Sequence, residues 1–184
     1  MIAKLAVILL LTLSLFSCEK EGFSVDTAKL IHEAVYIDGE KIEEKVKFSS
    51  ILSSDGKYEL TLTDPSNSIS FTSSLTKEGE YYRSEELKIT AYSTFLKGEY
   101  SFTIIKDDGT EYSGVVSLDY NETYPLSYND DVDYLEAYLD GALIAETDGS
   151  SYPPYSDKLI LYKEDSRNNR ISSIISLSSS DHLP

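Results

Sequence analysis

Apolar and polar residues alternate with period two along most of this chain, which puts one set on each face of a pleated strand. Tyr58, Leu60 and Leu62 share a face of segment 57–62, and Leu87, Ile89 and Ala91 alternate with Lys88 and Thr90. Tyr100, Phe102 and Ile104 alternate with Ser101 and Thr103, and 112–118 returns after a turn at Asp107-Asp108-Gly109-Thr110. Further strands are predicted at 34–37, 134–139, 142–146, 158–162 and 170–177. Asp-Gly pairs beginning at Asp38, Asp55, Asp108, Asp140 and Asp148 punctuate these runs. Asp-Gly between alternating runs signals a tight hairpin, because both turn residues must tolerate positive φ. Segment 26–34 reads as a helix with Asp26 as its cap. Strands recurring about every ten residues predict an all-β sandwich or barrel.

The expected organisation is a sandwich over 31–120, preceded by a tether over 18–30. Segment 129–178 is expected to add strands that pack on that sandwich, since so short a piece rarely buries enough surface to stand alone. Leu96-Lys97-Gly98-Glu99-Tyr100-Ser101-Phe102 resembles the tyrosine corner of immunoglobulin-like and fibronectin-like domains. In that motif a Tyr two residues before the second core Cys bonds its hydroxyl to upstream backbone. Tyr100 takes the Tyr place and Phe102 the Cys place, while the core Trp and the Cys pair are absent. The resemblance implies an immunoglobulin-like Greek-key sandwich with additional C-terminal strands, seven strands falling within 34–118.

The N-terminus departs from this pattern. Lys4 precedes an apolar run, Leu5 to Phe16, shorter than the roughly 20 residues that cross a bilayer. It fits the apolar core of a secretory signal, residues 1–17. Leu15-Phe16-Ser17-Cys18 resembles the lipobox of bacterial lipoproteins: Leu at −3, a small residue at −1, Cys at +1. The resemblance implies cleavage before Cys18 and palmitate-type acyl chains on it, three in lipoproteins of this class. Glu19 stands where Asp retains some lipoproteins in the inner membrane, so the implied address is the outer membrane, periplasmic or surface-exposed.

Composition narrows the partners. Asp and Glu number 32 against 16 Lys and Arg, a net charge of −16. Removing residues 1–17 takes away Lys4 alone among the charged groups, which leaves −17. Nucleic-acid phosphates need Lys and Arg, and anionic lipid headgroups repel such a body, so lipid rather than surface charge holds it at the membrane. With one Cys there is no disulfide framework.

Chemistry-bearing residues are sparse. His32 and His182 are the only histidines, and no nucleophile elbow, zinc-protease or phosphate-loop motif occurs. The expectation is a non-catalytic chain without a cofactor beyond the lipid at Cys18. Asp130, Asp131, Asp133 and Glu136 put hard oxygen ligands within a short span, and Asp107-Asp108 could add to them. Calcium takes six to eight such oxygens, although the spacing is not that of an EF-hand. Tyr124, Tyr128, Tyr152 and Tyr155, the last two flanking Pro153-Pro154, are the ligand-binding candidates. Tyr gives a rigid amphipathic contact surface suited to a protein or glycan partner. The expected function is that of an anchored binding or adhesion module, with a calcium-dependent module as the alternative and an envelope hydrolase ranked last.

Overall fold

The computed structural model describes residues 22–90 and 93–178; the expected leader, Cys18 and His182 lie outside them. The described residues form twelve strands and no helix. In chain order these are β1 (Val25–Ile37), β2 (Glu40–Leu52), β3 (Tyr58–Thr63), β4 (Ser70–Glu78), β5 (Tyr81–Arg83) and β6 (Leu87–Thr90). They continue with β7 (Gly98–Lys106), β8 (Glu111–Leu118), β9 (Tyr134–Leu139), β10 (Ala142–Thr147), β11 (Lys158–Glu164) and β12 (Arg170–Ser176).

The ladder order is β10-β9-β11-β12-β1-β2-β5-β4-β3-β7-β8, with β6 on β2. The ladder does not close, and β10 and β8 are its ends. β4 bends between partners, pairing with β3 from Ser70 to Leu75 and with β5 from Thr76 to Glu78. The sheet thereby folds over, and β1 comes to lie beside β8 without pairing to it. Leu30, Val46 and Phe48 from β1 and β2 meet Leu60, Phe102 and Ile104 from β3 and β7 in one core. A second core, around Leu126, Leu135, Leu159 and Leu161, lies on one face of β9–β12.

The first half of β1 faces the larger core, and its second half pairs in parallel with β12, from Glu33 opposite Arg170 to Ile37 opposite Ile174. Both ends of this parallel ladder are capped by side chains. The N–H of His32, one residue before the ladder starts, donates to Asn169 Oδ1 at 3.1 Å. At the other end the N–H of Ser176 donates to Asp38 Oδ1 at 2.8 Å. The His32 donor is buried, and without an acceptor it would cost about 1–3 kcal/mol, whereas the Ser176 end is exposed.

Two expectations are corrected. Segment 26–34 is strand, not helix: Ala28, Leu30, His32 and Ala34 point inward while Thr27, Ile31 and Glu33 alternate outward, and β2 pairs with β1 along its length. Asp26 accepts a bond from the Ser24 hydroxyl instead of capping a helix. Consequently residues 25–30 are not a tether, and Phe23 already sits in the core against Tyr58.

The Asp-Gly pairs divide by role. Asp38-Gly39 (φ 46° and 86°) and Asp140-Gly141 (φ 50° and 79°) close the two-residue hairpins β1–β2 and β9–β10 with both residues in the left-handed region. Asp108-Gly109 closes β7–β8. Asp55-Gly56 and Asp148-Gly149 sit in connections between strands that do not pair with each other.

Leu161 is fully buried in the smaller core. Leu161→Ala is expected to lose about 2–5 kcal/mol in urea unfolding, whereas half-exposed Ile144→Ala should stay within about 0.5 kcal/mol. A Leu161→Ala loss as small as that of Ile144→Ala would show that the second core adds little.

Candidate functional site

Strand alternation brings an unusual row to the inner face. On β2, Glu44 shares its row with Val46 and Phe48; on β1, His32 shares its row with Leu30 and Ala34. The register sets His32 opposite Val46 and Ala34 opposite Glu44, so His32 and Glu44 are diagonal neighbours. Both are buried.

His32 Nε2 lies 3.3 Å from Glu44 Oε2, and neither ring nitrogen has a hydrogen-bond partner among the described residues. The imidazole stacks on Tyr120 with centroids 3.7 Å apart and planes 6° from parallel. Burial holds the His32 pKa below its ordinary 6.5, with the Glu44 carboxylate only partly countering it. Burial also opposes ionisation of Glu44. The Lys41 ammonium at 2.8 Å, the Phe95 N–H at 3.0 Å and His32 more than offset this, so the Glu44 carboxyl titrates below its ordinary 4.5. At neutral pH the cluster is an ionised Lys41–Glu44 pair with a neutral His32.

Two tyrosines hold the loop that supplies the Phe95 N–H. Tyr100 OH donates to Leu96 O at 3.0 Å, and Tyr120 OH donates to Phe95 O at 2.7 Å. Burial, then Asp64, pushes the Tyr100 hydroxyl up to about 12. Burial, then Glu44 and Tyr100, does the same for Tyr120.

Beyond His32 lies a cleft of about 220 Å³ where the β8–β9 connector and the β11–β12 turn meet β1. Asn169 ties these segments together, donating from Nδ2 to Asp119 O and Asp165 Oδ2, each at 2.9 Å, while its Oδ1 serves His32. Tyr36 OH donates to Thr123 Oγ1 at 2.9 Å and fixes the connector to β1.

Of the predicted ligand-binding tyrosines, only Tyr124 reaches this cleft, and its ring is 50% exposed. Tyr128 and Tyr155 are exposed elsewhere, and Tyr152 packs on the smaller core. The four do not converge.

The predicted calcium ligands are separated by their local partners. Asp130 accepts the Ser127 N–H at 2.6 Å, and Asp133 accepts the Glu164 N–H at 2.7 Å. Asp131 faces Lys163 at 3.6 Å. Glu136 accepts from Tyr138 OH at 2.8 Å and Tyr162 OH at 3.2 Å. The Asp107-Asp108 tip is tied to the start of β3 through Asp107 N–H to Lys57 O. Among the described residues no group of three or more His, Cys, Asp or Glu is arranged to hold a metal ion. Nor does any described hydroxyl bond to a His32 nitrogen, as a nucleophile–base pair would require.

Glu44, Lys41 and Asn169 were not singled out from sequence. Alternation alone marks Glu44, because it falls in the inward row of Val46 and Phe48. Asn169 carries no local signal, since its partners are residues distant in sequence.

No family model and no curated protein matches the chain. Among solved structures, one titled "Structural insight into host cell surface retention of a 1.5-MDa bacterial ice-binding adhesin" aligns at 9% identity and a TM-score of 0.32. The alignment covers 85% of this chain and spans 65% of that one, just under two thirds of its length.

The buried pair makes stability pH-dependent. Both folded-state pKa values are depressed, so both groups contribute stability that is present above their unfolded values and lost on acidification. His32 acts first, below about 6.5, because the unfolded chain takes up a proton that the folded one resists. Glu44 follows below about 4.5. The melting temperature should fall from pH 7 to pH 5, and His32→Gln should flatten that segment while leaving the steeper acid limb. An unchanged slope between pH 7 and pH 5 in His32→Gln would remove His32 from the account.

Proposed function

We propose that this chain is a lipid-anchored lipoprotein of the cell envelope, held at the outer membrane through Cys18, whose body is a non-catalytic binding module for a protein or glycan partner. Its larger body is an immunoglobulin-like Greek-key sandwich on this reading. The grouping of β1, β2 and β6 against β8, β7, β3 and β4 supports it, as does the hydroxyl bond from Tyr100 back to Leu96.

One observation supports the reading: Phe23, among the first described residues, and the cleft at His32 stand apart along β1. Phe23 packs on Tyr58 and Tyr112, where β3 and β8 begin. The cleft forms past the end of β8, beside the second half of β1. From Val25 to His32, β1 spans about 23 Å at roughly 3.3 Å per residue. A lipid on Cys18 therefore sets the Phe23 end toward the bilayer and presents the cleft and the β9–β12 sheet outward. Acyl chains contribute about 0.8 kcal/mol per buried CH₂, and several chains make the anchor stable. The acidic surface is repelled by anionic headgroups and keeps the body off the membrane.

Mass spectrometry of the protein from membranes should find the leader removed and Cys18 acylated, and Cys18→Ala should leave the membrane fraction. An unacylated thiol or a retained leader would overturn the address. The full chain, reconstituted in nanodiscs, should bind saturably to at least one purified envelope protein or surface glycan; binding to none would overturn the role.

A further inference from the structure

The acidic residues of this chain are unevenly placed. Residues 107–157 carry 13 Asp and Glu and no Lys or Arg. That stretch builds β8, β9 and β10, and so both ends of the ladder. The cations that meet it come from outside it. On the face of β9–β12 turned away from the smaller core, Lys158 lies over the Tyr138 ring at 4.2 Å and Arg170 over the Tyr162 ring at 5.4 Å.

One ring on this face lacks a cation. Tyr134 stands opposite Tyr162 in the ladder, with ring centroids 5.5 Å apart, and no Lys or Arg lies over it among the described residues. With Asp133, Glu136, Glu164 and Arg170, the two rings line a pocket of about 250 Å³. Three carboxylates there face one guanidinium, and Arg170 is already committed to Glu164 at 3.6 Å and to Tyr162. Glu136 accepts two phenolic hydrogens, yet neither it nor Glu146, directly opposite on β10, forms an ion pair among the described residues. An uncovered aromatic face beside two carboxylates without a cation is the chemistry that holds an ammonium or guanidinium.

The pocket is smaller than the roughly 300–1,000 Å³ of drug-sized sites and suits one side chain. An exposed ion pair or cation–π contact strengthens binding by only about two- to fivefold, so a lone amine gains little here. A segment with several basic residues gathers several such contacts, and the field of the uncompensated stretch 107–157 draws it in. We propose that this pocket receives a Lys or Arg side chain from a basic segment of a partner protein, its cation lying over Tyr134 and paired with Glu136 and Glu146. The assignment deepens the binding role argued above and rests on it, and it makes the partner a protein rather than a glycan.

The probe is a fluorescent eight-residue peptide of alternating Lys and Thr, titrated with the full chain in nanodiscs of zwitterionic lipid and read by anisotropy. At about 0.15 M salt, screening acts over about 8 Å, so distant charges contribute little. Saturable binding is expected, with none for the peptide that carries Glu in place of Lys. Glu146→Gln should weaken binding about two- to fivefold, as the loss of one ion pair does, and Tyr134→Leu by a similar factor. Tyr134→Phe keeps the ring and should bind as the parent does. Glu111→Gln removes the same charge at the start of β8 and should change affinity by less than about twofold. Glu146 is exposed and opposite a like charge, so Glu146→Gln should not lower the melting temperature and tests the pocket if Tyr134→Leu folds poorly. Absence of saturable binding overturns the proposal. An equal loss in Glu146→Gln and Glu111→Gln also overturns it, since the peptide then senses net charge alone. Argininamide binding as tightly as the peptide overturns the protein segment as the occupant. If the peptide fails while an envelope partner still binds the full chain, the pocket assignment alone falls. If both fail, the binding role falls with it.

Discussion

Hydrogen bonding along both edges of one strand, β1, organises this molecule. One edge pairs with β2 from Val25 to Ile37, and the other pairs with β12 from Glu33 onward. The first half therefore belongs to the larger core, and the second half holds the C-terminal sheet. A parallel ladder cannot form through a short turn and needs a long connection. Here that connection is the whole chain from β2 to β11. The polar caps at Asn169 and Asp38 complete the arrangement, satisfying donors that a five-residue ladder leaves at its ends.

Between the two apolar cores, polar contacts run beside the buried Ala34, Val35 and Tyr36 of β1. Ser173 Oγ accepts the Leu126 N–H at 2.7 Å, Ser172 bonds Glu33, and Asn169 bonds three segments. Such a junction stabilises less per unit area than an apolar one, because each bond replaces one to water. It fixes geometry, since every donor must find its own acceptor. The pair of half-buried Lys41 with buried Glu44 follows the same logic. Its attraction is opposed by desolvation, and removing one partner strands the other. A cleft formed at this junction has walls set by directional bonds rather than by side chains free to repack.

The all-β class was legible because period-two alternation is a local property. So were the hairpins at Asp38-Gly39 and Asp140-Gly141. What could not be read locally was partner choice. Asp55-Gly56 carries the same signal as Asp38-Gly39, yet it links strands that leave for different neighbours. Residues 26–34 fit a helix with Asp26 in front, but their backbone is claimed by β2 along its full length, a tertiary override of local propensity. The site divides in the same way. Tyr124 could be picked as an exposed aromatic in a connector. His32 could not be weighed correctly, because its meaning comes from Glu44 and Tyr120, which the fold brings to it. In the acidic run at 130–136, adjacency in sequence is not convergence: Asp130, Asp133 and Glu136 each accept a backbone or hydroxyl donor of their own, and Asp131 faces Lys163.

The tyrosine content then has a physical explanation. With twice as many acidic as basic side chains, cation pairing cannot satisfy every carboxylate. Glu136 and Glu146 stand directly opposite across β9 and β10, an arrangement that destabilises a sheet unless relieved. Relief comes from phenolic donors: Tyr138 and Tyr162 both bond Glu136, and their rings lie under Lys158 and Arg170 at 4.2 and 5.4 Å. Tyr82 plays the same part for Asp55 at 3.0 Å. A tyrosine can bury its ring in the sheet and still deliver a donor to a surface carboxylate, which neither Phe nor Lys does. Rings engaged in this way are already occupied by the protein's own charges. That distinguishes them from Tyr124, which is half-exposed at the cleft.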